Sequence, residues 1–343
     1  MSGPRSKLLL VGQRILHAVP ALVGIVIITF LLTRALPGDP AAYFAGPTAD
    51  AESIAQIRHN LGLDRSLPVQ FVVYVRDLLH GDLGQSISTG QSVGHELMAR
   101  LPASLELTLV ALIVAIAIAV PLGILAATRP DSWVDHLCRF VVTLGVSLPT
   151  FFTGLALVYI FYYQLGWSPA PMGRLDILYA SPAAITGFFT IDALLAGDFE
   201  IFKASVAQLV LPAVTLALFT LAPIARMTRA SMLQVLASDF IRTARAAGLS
   251  RRKVLFTYAF GNAVLPVITT LGMVFSFVLG ANVLVEKVFS WPGIGSFAVD
   301  ALVSSDYAAV QGFVLTMAIL FVALNLLVDV IYTLVDPRLS VPA

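Results

Sequence analysis

Residues 107–128 read LTLVALIVAIAIAVPLGILAAT, 22 positions without a charged side chain, bounded by Glu106 and Arg129. A helix rises 1.5 Å per residue, so a run of this length crosses the roughly 30 Å hydrocarbon core of a bilayer. Five further uncharged runs have comparable length: 15–33, 140–173, 204–225, 254–285 and 307–328. The next longest, between Asp176 and Asp192, holds 15 residues and includes Ser181-Pro182. It is too short to cross and reads as a re-entrant or surface segment. Lipid offers no partner to an unpaired backbone amide, so the spanning runs must be helical. The sequence therefore predicts an all-α polytopic membrane protein with six transmembrane helices. Composition points the same way: only 12% of the 343 residues are charged, about half the share of a soluble domain. With Cys138 as its one cysteine, the chain is no disulfide scaffold.

An even number of spans puts both termini on one side. Apart from the long segment 34–106, that side carries 13 Lys and Arg against 3 on the other. The bias predicts cytoplasmic termini. Arg5, Lys7 and Arg14 resemble the start of a signal peptide, but the apolar run that follows is long and lacks a small-x-small cleavage site, so it reads as an uncleaved first helix. The chain then divides into four parts. Residues 1–36 form an N-terminal segment and first helix, 37–104 an extracytoplasmic subdomain, 105–335 the core with a cytoplasmic loop at 226–262, and 336–343 a tail. Within 37–104, turn signals at Pro37-Gly38-Asp39-Pro40 and Gly81-Asp82-Leu83-Gly84 flank apolar positions at helical spacing. These are Ile54, Ile57 and Leu61, then Phe71, Val72, Val75, Leu78 and Leu79, which predict two short amphipathic helices.

Loop 226–262 holds seven bases and one acid. Asp239 is placed to cap a short helix, with Phe240, Ile241, Ala244 and Leu249 as its apolar face. Gly248 fits the helix end and Ser250 the start of the next.

Several chemistries are missing. None of the four lysines (Lys7, Lys203, Lys253, Lys287) follows a glycine, so there is no G-x-x-x-x-G-K-[ST] phosphate loop. No H-E-x-x-H or C-x-x-C occurs, and the five histidines are scattered, which leaves no catalytic residue and no metal site to name. Ionisable groups within the runs are scarce: Glu286, Lys287 and Asp329 fall near their ends. That argues against a proton- or sodium-coupled carrier. It suits a pathway for a bulky solute with polar backbone groups, driven by another chain. Ser147, Gln208, Asn282 and Asn325, polar residues inside the runs, together with Pro149 are the five candidate pathway positions, and Pro149 and Pro212 read as pathway hinges. Trp133, Trp167 and Trp291 fall near run boundaries and read as interfacial anchors.

The stretch Asp239-Phe240-Ile241-Arg242-Thr243-Ala244-Arg245-Ala246-Ala247-Gly248-Leu249-Ser250 resembles the ATPase-docking loop of binding-protein-dependent ABC importer permeases. Further family marks follow in order along the chain. They include Gly81-Asp82-Leu83-Gly84 with Ser86, Arg226-Met227-Thr228-Arg229, Phe289-Ser290-Trp291-Pro292-Gly293-Ile294-Gly295, Asp306-Tyr307 and Asp336-Pro337-Arg338. As a set they are most similar to the B-type subunit of dipeptide and oligopeptide importers. Relative to the general importer pattern aligned on Gly248, Arg242-Thr243-Ala244 replaces Glu-Ala-Ala, as in the peptide-importer B subunits.

The resemblance implies a type I ABC importer permease fold in a bacterial inner membrane. It also implies a homologous C-type permease subunit, two ABC ATPase subunits and an extracytoplasmic peptide-binding protein as partners. ATP and Mg would sit on the ATPases, with no cofactor in this chain and no nucleic acid. Residues 239–249 would dock the ATPase, with Ile241, Ala244 and Leu249 as apolar contacts and Arg242 and Arg245 meeting acids. Dipeptides, longer peptides, glutathione and nickel complexes are cargoes of such permeases. The rival readings from other classes are a self-contained secondary transporter or channel, and a non-transporting membrane scaffold.

Overall fold

The run at 107–128 is the second part of a longer helix, α5 (Val93–Thr128), in the computed structural model. The structure describes residues 19–335 apart from 33, 35–38 and 47. The first helix, α1 (Val19–Leu32), is apolar. Three short helices follow: α2 (Pro40–Ala45), α3 (Ala51–Asn60) and α4 (Leu67–Leu79). The periodicity predicted the last two; α2, built on PAAYFA, is additional. Asp50 caps α3, accepting the Ser53 amide at 2.9 Å. The turn expected at Pro37-Gly38 lies outside the described residues.

Four helices among the described residues are long and apolar enough to cross a membrane: Val93–Thr128, Phe199–Leu236, Arg251–Val288 and Tyr307–Val328. The second is α9 (Phe199–Leu236), whose first turn is capped by Asp198 through the amides of Glu200 and Ile201. The third begins as α11 (Arg251–Lys253), widens into a π-helical stretch at Val254–Phe260 and continues as α12 (Gly261–Val288). The fourth belongs to α14 (Tyr307–Val335). The expected run 140–173 is broken instead. Helix α6 (Trp133–Ser147) stops, Leu148 is extended (φ −109°, ψ 136°), and Pro149 opens α7 (Thr150–Leu157), which ends in a π-helical stretch to Gln164. Proline drives the residue before it out of the helical region, so Pro149 separates two helices and is not a kink inside one. Pro212, by contrast, sits within the unbroken α9. Irregular chain leads to α8 (Phe189–Leu195). Two more helices, α10 (Asp239–Ala246) and α13 (Ile294–Val303), lie between the long ones.

Helix α5 packs along α9 through a four-residue stripe: Leu107, Ala111, Ala115 and Ala119 have no exposed surface. Small side chains let two helix backbones approach closely, which is how helices associate in lipid. At Gly123 an added Cβ would stand 2.9 Å from the Ala225 carbonyl oxygen. At Gly145 of α6 it would stand 2.6 Å from that of Leu218. A separate apolar cluster closes each end of α5. Ile124 and Ala127 meet Met232, Ile241, Ala244, Val254, Ala259 and Ala263 at one end. Val93 and Leu97 meet Ile294, Phe297, Ala301 and Ala309 at the other. These are the α10 end and the α13 end of the molecule.

Trp291 departs from the expected interfacial role. It is fully buried, and its indole Nε1–H donates to the Ala103 carbonyl at 2.9 Å. Trp133 and Trp167 remain exposed.

Candidate functional site

At the α10 end, the helix is capped one residue earlier than the sequence indicates. Ser238 is the N-cap, in extended conformation, and its hydroxyl turns back to the Val235 carbonyl at 2.5 Å. Asp239 is the first helical residue, where its charge suits the helix dipole. The other end follows expectation. Gly248 is left-handed (φ +75°), its amide donates to the Arg245 carbonyl at 3.0 Å, and the Leu249 amide reaches Ala244 at 3.3 Å. This is a Schellman closure, which glycine adopts without a Cβ penalty. The Ser250 hydroxyl then accepts the Lys253 amide at 3.4 Å to start α11.

The two faces of α10 sort differently from the sequence expectation. Ile241 and Ala244, three residues apart and so on one face, are buried in this chain's own cluster with α5, α9 and the π-helical foot of α12. They are not free to touch another protein. Leu249 is half-buried beside them. The apolar residue turned outward is Phe240, 46% exposed. Arg242, Thr243, Arg245, Ala246, Ala247 and Gly248 are exposed with it, and Arg242 makes a 3.5 Å pair with Asp239. The result is a basic, aromatic-centred surface fixed from behind by the ends of three long helices.

Sequence reasoning missed the buried acids that fasten the long helices. Near α10, the fully buried Asp135 of α6 accepts both Nε (2.5 Å) and Nη2 (2.8 Å) of Arg229 on α9. It also accepts Arg139 Nη2 at 2.7 Å and the Asp131 amide at 3.1 Å. The Arg229 and Arg139 guanidiniums thus face the buried Asp135 carboxylate together.

At the α13 end, Glu286 is fully buried and accepts the Ser104 hydroxyl at 2.5 Å and the Ser296 amide, in the first turn of α13, at 2.8 Å. Ser104 in turn accepts the Ile294 amide at 2.9 Å. Nearby, Glu106 pairs with Arg174 at 2.6 Å and accepts the amide (2.9 Å) and hydroxyl (2.6 Å) of Thr190. Asp306 accepts the Ser86 hydroxyl at 2.6 Å and, within α14, the Ala309 amide at 3.2 Å. Several family marks thereby acquire partners: Ser86 with Asp306-Tyr307, Arg229 with Asp135, and the Phe289–Gly295 stretch with Glu286 and Ala103.

The five candidate pathway residues are not brought together. Gln208 and Asn282 are buried, and each keeps one polar atom, Nε2 and Oδ1, without a hydrogen-bond partner among the described residues. The Asn282 amide nitrogen donates to the Ser104 carbonyl and Thr108 hydroxyl of α5. Ser147, Pro149 and Asn325 lie exposed on the helix surface. Ser147 and Asn325 donate to carbonyls one turn back, at Thr143 and Phe321. A cavity of about 400 Å³ between α3, α4 and the start of α14 contains none of the five.

Comparison with known proteins gives the arrangement its context. A family profile described as "Binding-protein-dependent transport system inner membrane component" matches residues 119–341. A companion, "Binding-prot-dependent transport system membrane comp, N-term", matches residues 7–108. The probable D,D-dipeptide transport system permease protein DdpB of Escherichia coli K12 is 43% identical over 328 residues, 96% of each chain. The di/tripeptide transport system permease protein DppB of Pseudomonas aeruginosa UCBPP-PA14 is 41% identical over 330 residues, 96% of this chain and 98% of that one. The dipeptide transport system permease protein DppB of E. coli K12 is 39% identical over 331 residues, 95% and 97%.

Proposed function

Since the chain belongs to the family of binding-protein-dependent transport system inner membrane components, we propose that it is the permease subunit of an ATP-driven peptide importer. It forms half of a translocation pathway for dipeptides or short peptides. The relatives supply the cargo class: their names specify D,D-dipeptides, dipeptides, and di- and tripeptides. A homologous permease completes the pathway, two ATPases hold ATP and Mg, and an extracytoplasmic binding protein delivers the peptide. The chain crosses the membrane six times, with α1 and the broken α6–α7 pair joining the four long helices. Both termini and α10 face the cytoplasm, and 37–104 forms a subdomain on the opposite side.

The observation that carries this reading is the two-faced α10. Its inner face is locked into α5, α9 and α12, while its outer face offers Phe240 among arginines. Such an element passes force from a docked partner into the spanning helices. The docking surface is therefore Phe240, Arg242, Thr243, Arg245, Ala246, Ala247 and Gly248. Asp239 sets its start, and Ile241, Ala244 and Leu249 seat it.

The test is co-purification from membranes. Phe240→Asp should leave this chain inserted and paired with its sister permease but strip the ATPases from the complex. Ile241→Asp should instead lower the amount of folded chain. ATPases retained on Phe240→Asp at wild-type level would remove α10 as the docking element.

A further inference from the structure

Helix α10 grips only part of the molecule. Its buried face contacts α5, α9 and the foot of α12, but the cluster contains no residue of α6 or α7. Motion of the docking loop reaches those two helices through the elements they pack on, α9, α5 and α12. Gly145 lets α6 lie directly on the Leu218 carbonyl of α9. Among the described residues, the charged contacts between α6 and α9 run through Asp135 alone. A bidentate guanidinium–carboxylate fork fixes angle as well as distance. Arg229 stands near the end of α9, ten positions before Asp239 opens α10. From Asp135, α6 runs to the Leu148-Pro149 break, beyond which α7 continues. Gly154 of α7 packs against Thr215 of α9 and against Val288 and Phe289, where α12 gives way to the stretch that closes the α13 end.

We infer that Asp135 is a positioning residue for transport: its fork with Arg229 makes the foot of α6 move with α9, so that displacement of α10 reaches α6, the Pro149 hinge and α7. This inference rests on the docking role proposed for α10. Asp135 touches neither nucleotide nor peptide; it acts through Arg229.

The experiment uses the complete importer, with both permeases, the ATPases and the binding protein, in proteoliposomes loaded with ATP. Peptide uptake and ATP hydrolysis are measured together. Asp135→Asn keeps the shape of the side chain but removes its charge. Arg229→Lys keeps the opposite charge but loses the fork, and so guards against a variant that simply fails to fold. Each should retain the ATPases and hydrolyse ATP while importing about tenfold less peptide per ATP. The double variant should be no worse than the more severe single one, because both break the same contact.

A purely structural role predicts lower yield or melting temperature with unchanged peptide per ATP, and that result would overturn the inference. Loss of the ATPases from Asp135→Asn would also overturn it, by making Asp135 part of docking. Failure of the docking reading looks different: Phe240→Asp would then keep its ATPases whatever the Asp135 variants do.

Discussion

Gly293 leaves no room for a side chain. A Cβ there would collide with the Glu286 carboxylate and the Ser104 hydroxyl. Its backbone is extended (φ −96°, ψ −179°), a conformation any residue can adopt, so the constraint is space alone. Gly293→Ala should therefore cost about 1–3 kcal/mol as the Glu286–Ser104 contact is forced apart. The measurement is melting temperature in detergent, where a wild-type value would show that the site can relax. None of this was legible beforehand. Ser104 and Glu286 are 182 positions apart, and nothing local marks either as the other's partner. An acid at the edge of an apolar run reads as a boundary charge whether it faces water or a buried hydroxyl. Trp291 misled for the same reason: its place near a run boundary matched an interfacial anchor, while its indole partner, the Ala103 carbonyl, lies far away in sequence. Gly248 and Ser250 were legible because a left-handed helix end and a hydroxyl cap involve only neighbouring residues.

Among the elements, the long helices were legible as runs, though not in their extent. Measuring between charges gave 107–128, but α5 starts at Val93, because Glu96 pairs with Arg100 at 2.8 Å one turn on and Glu106 is paired with Arg174. Charges neutralised along or across helices do not end a helix. The α6–α7 pair was hidden by the same rule, since Pro149 interrupts the helix without adding a charge. In α10, composition revealed the element but not its orientation. Ile241 and Phe240 are adjacent and both apolar, and only the position of α5, α9 and α12 decides which is buried. Gly248→Val tests this element directly. The space around Gly248 is open, so the substitution creates no clash. It forces a branched residue into the left-handed region at a cost of about 1–2 kcal/mol. The chain should still accumulate in the membrane, but ATP hydrolysis should no longer drive uptake. Normal uptake would show that the closure of α10 is dispensable.

At the scale of the molecule, the ordered family marks were the most informative part of the sequence. The structure supplies a physical reason for several of them, since they form the contacts that bind one helix to another. The same contacts make α5, α9 and α12 a framework gripped at one end by α10 and closed at the other by α13. In the function proposed above, this framework carries a partner's push into the spanning helices. The central claim is that this chain is a conduit powered by a partner bound to α10. Its most direct test is peptide uptake into proteoliposomes holding either this chain alone or the complete importer. Uptake should appear only with the full set of partners and hydrolysable ATP, and should vanish with Phe240→Asp. Uptake by this chain alone, driven by an imposed ion gradient, would contradict it.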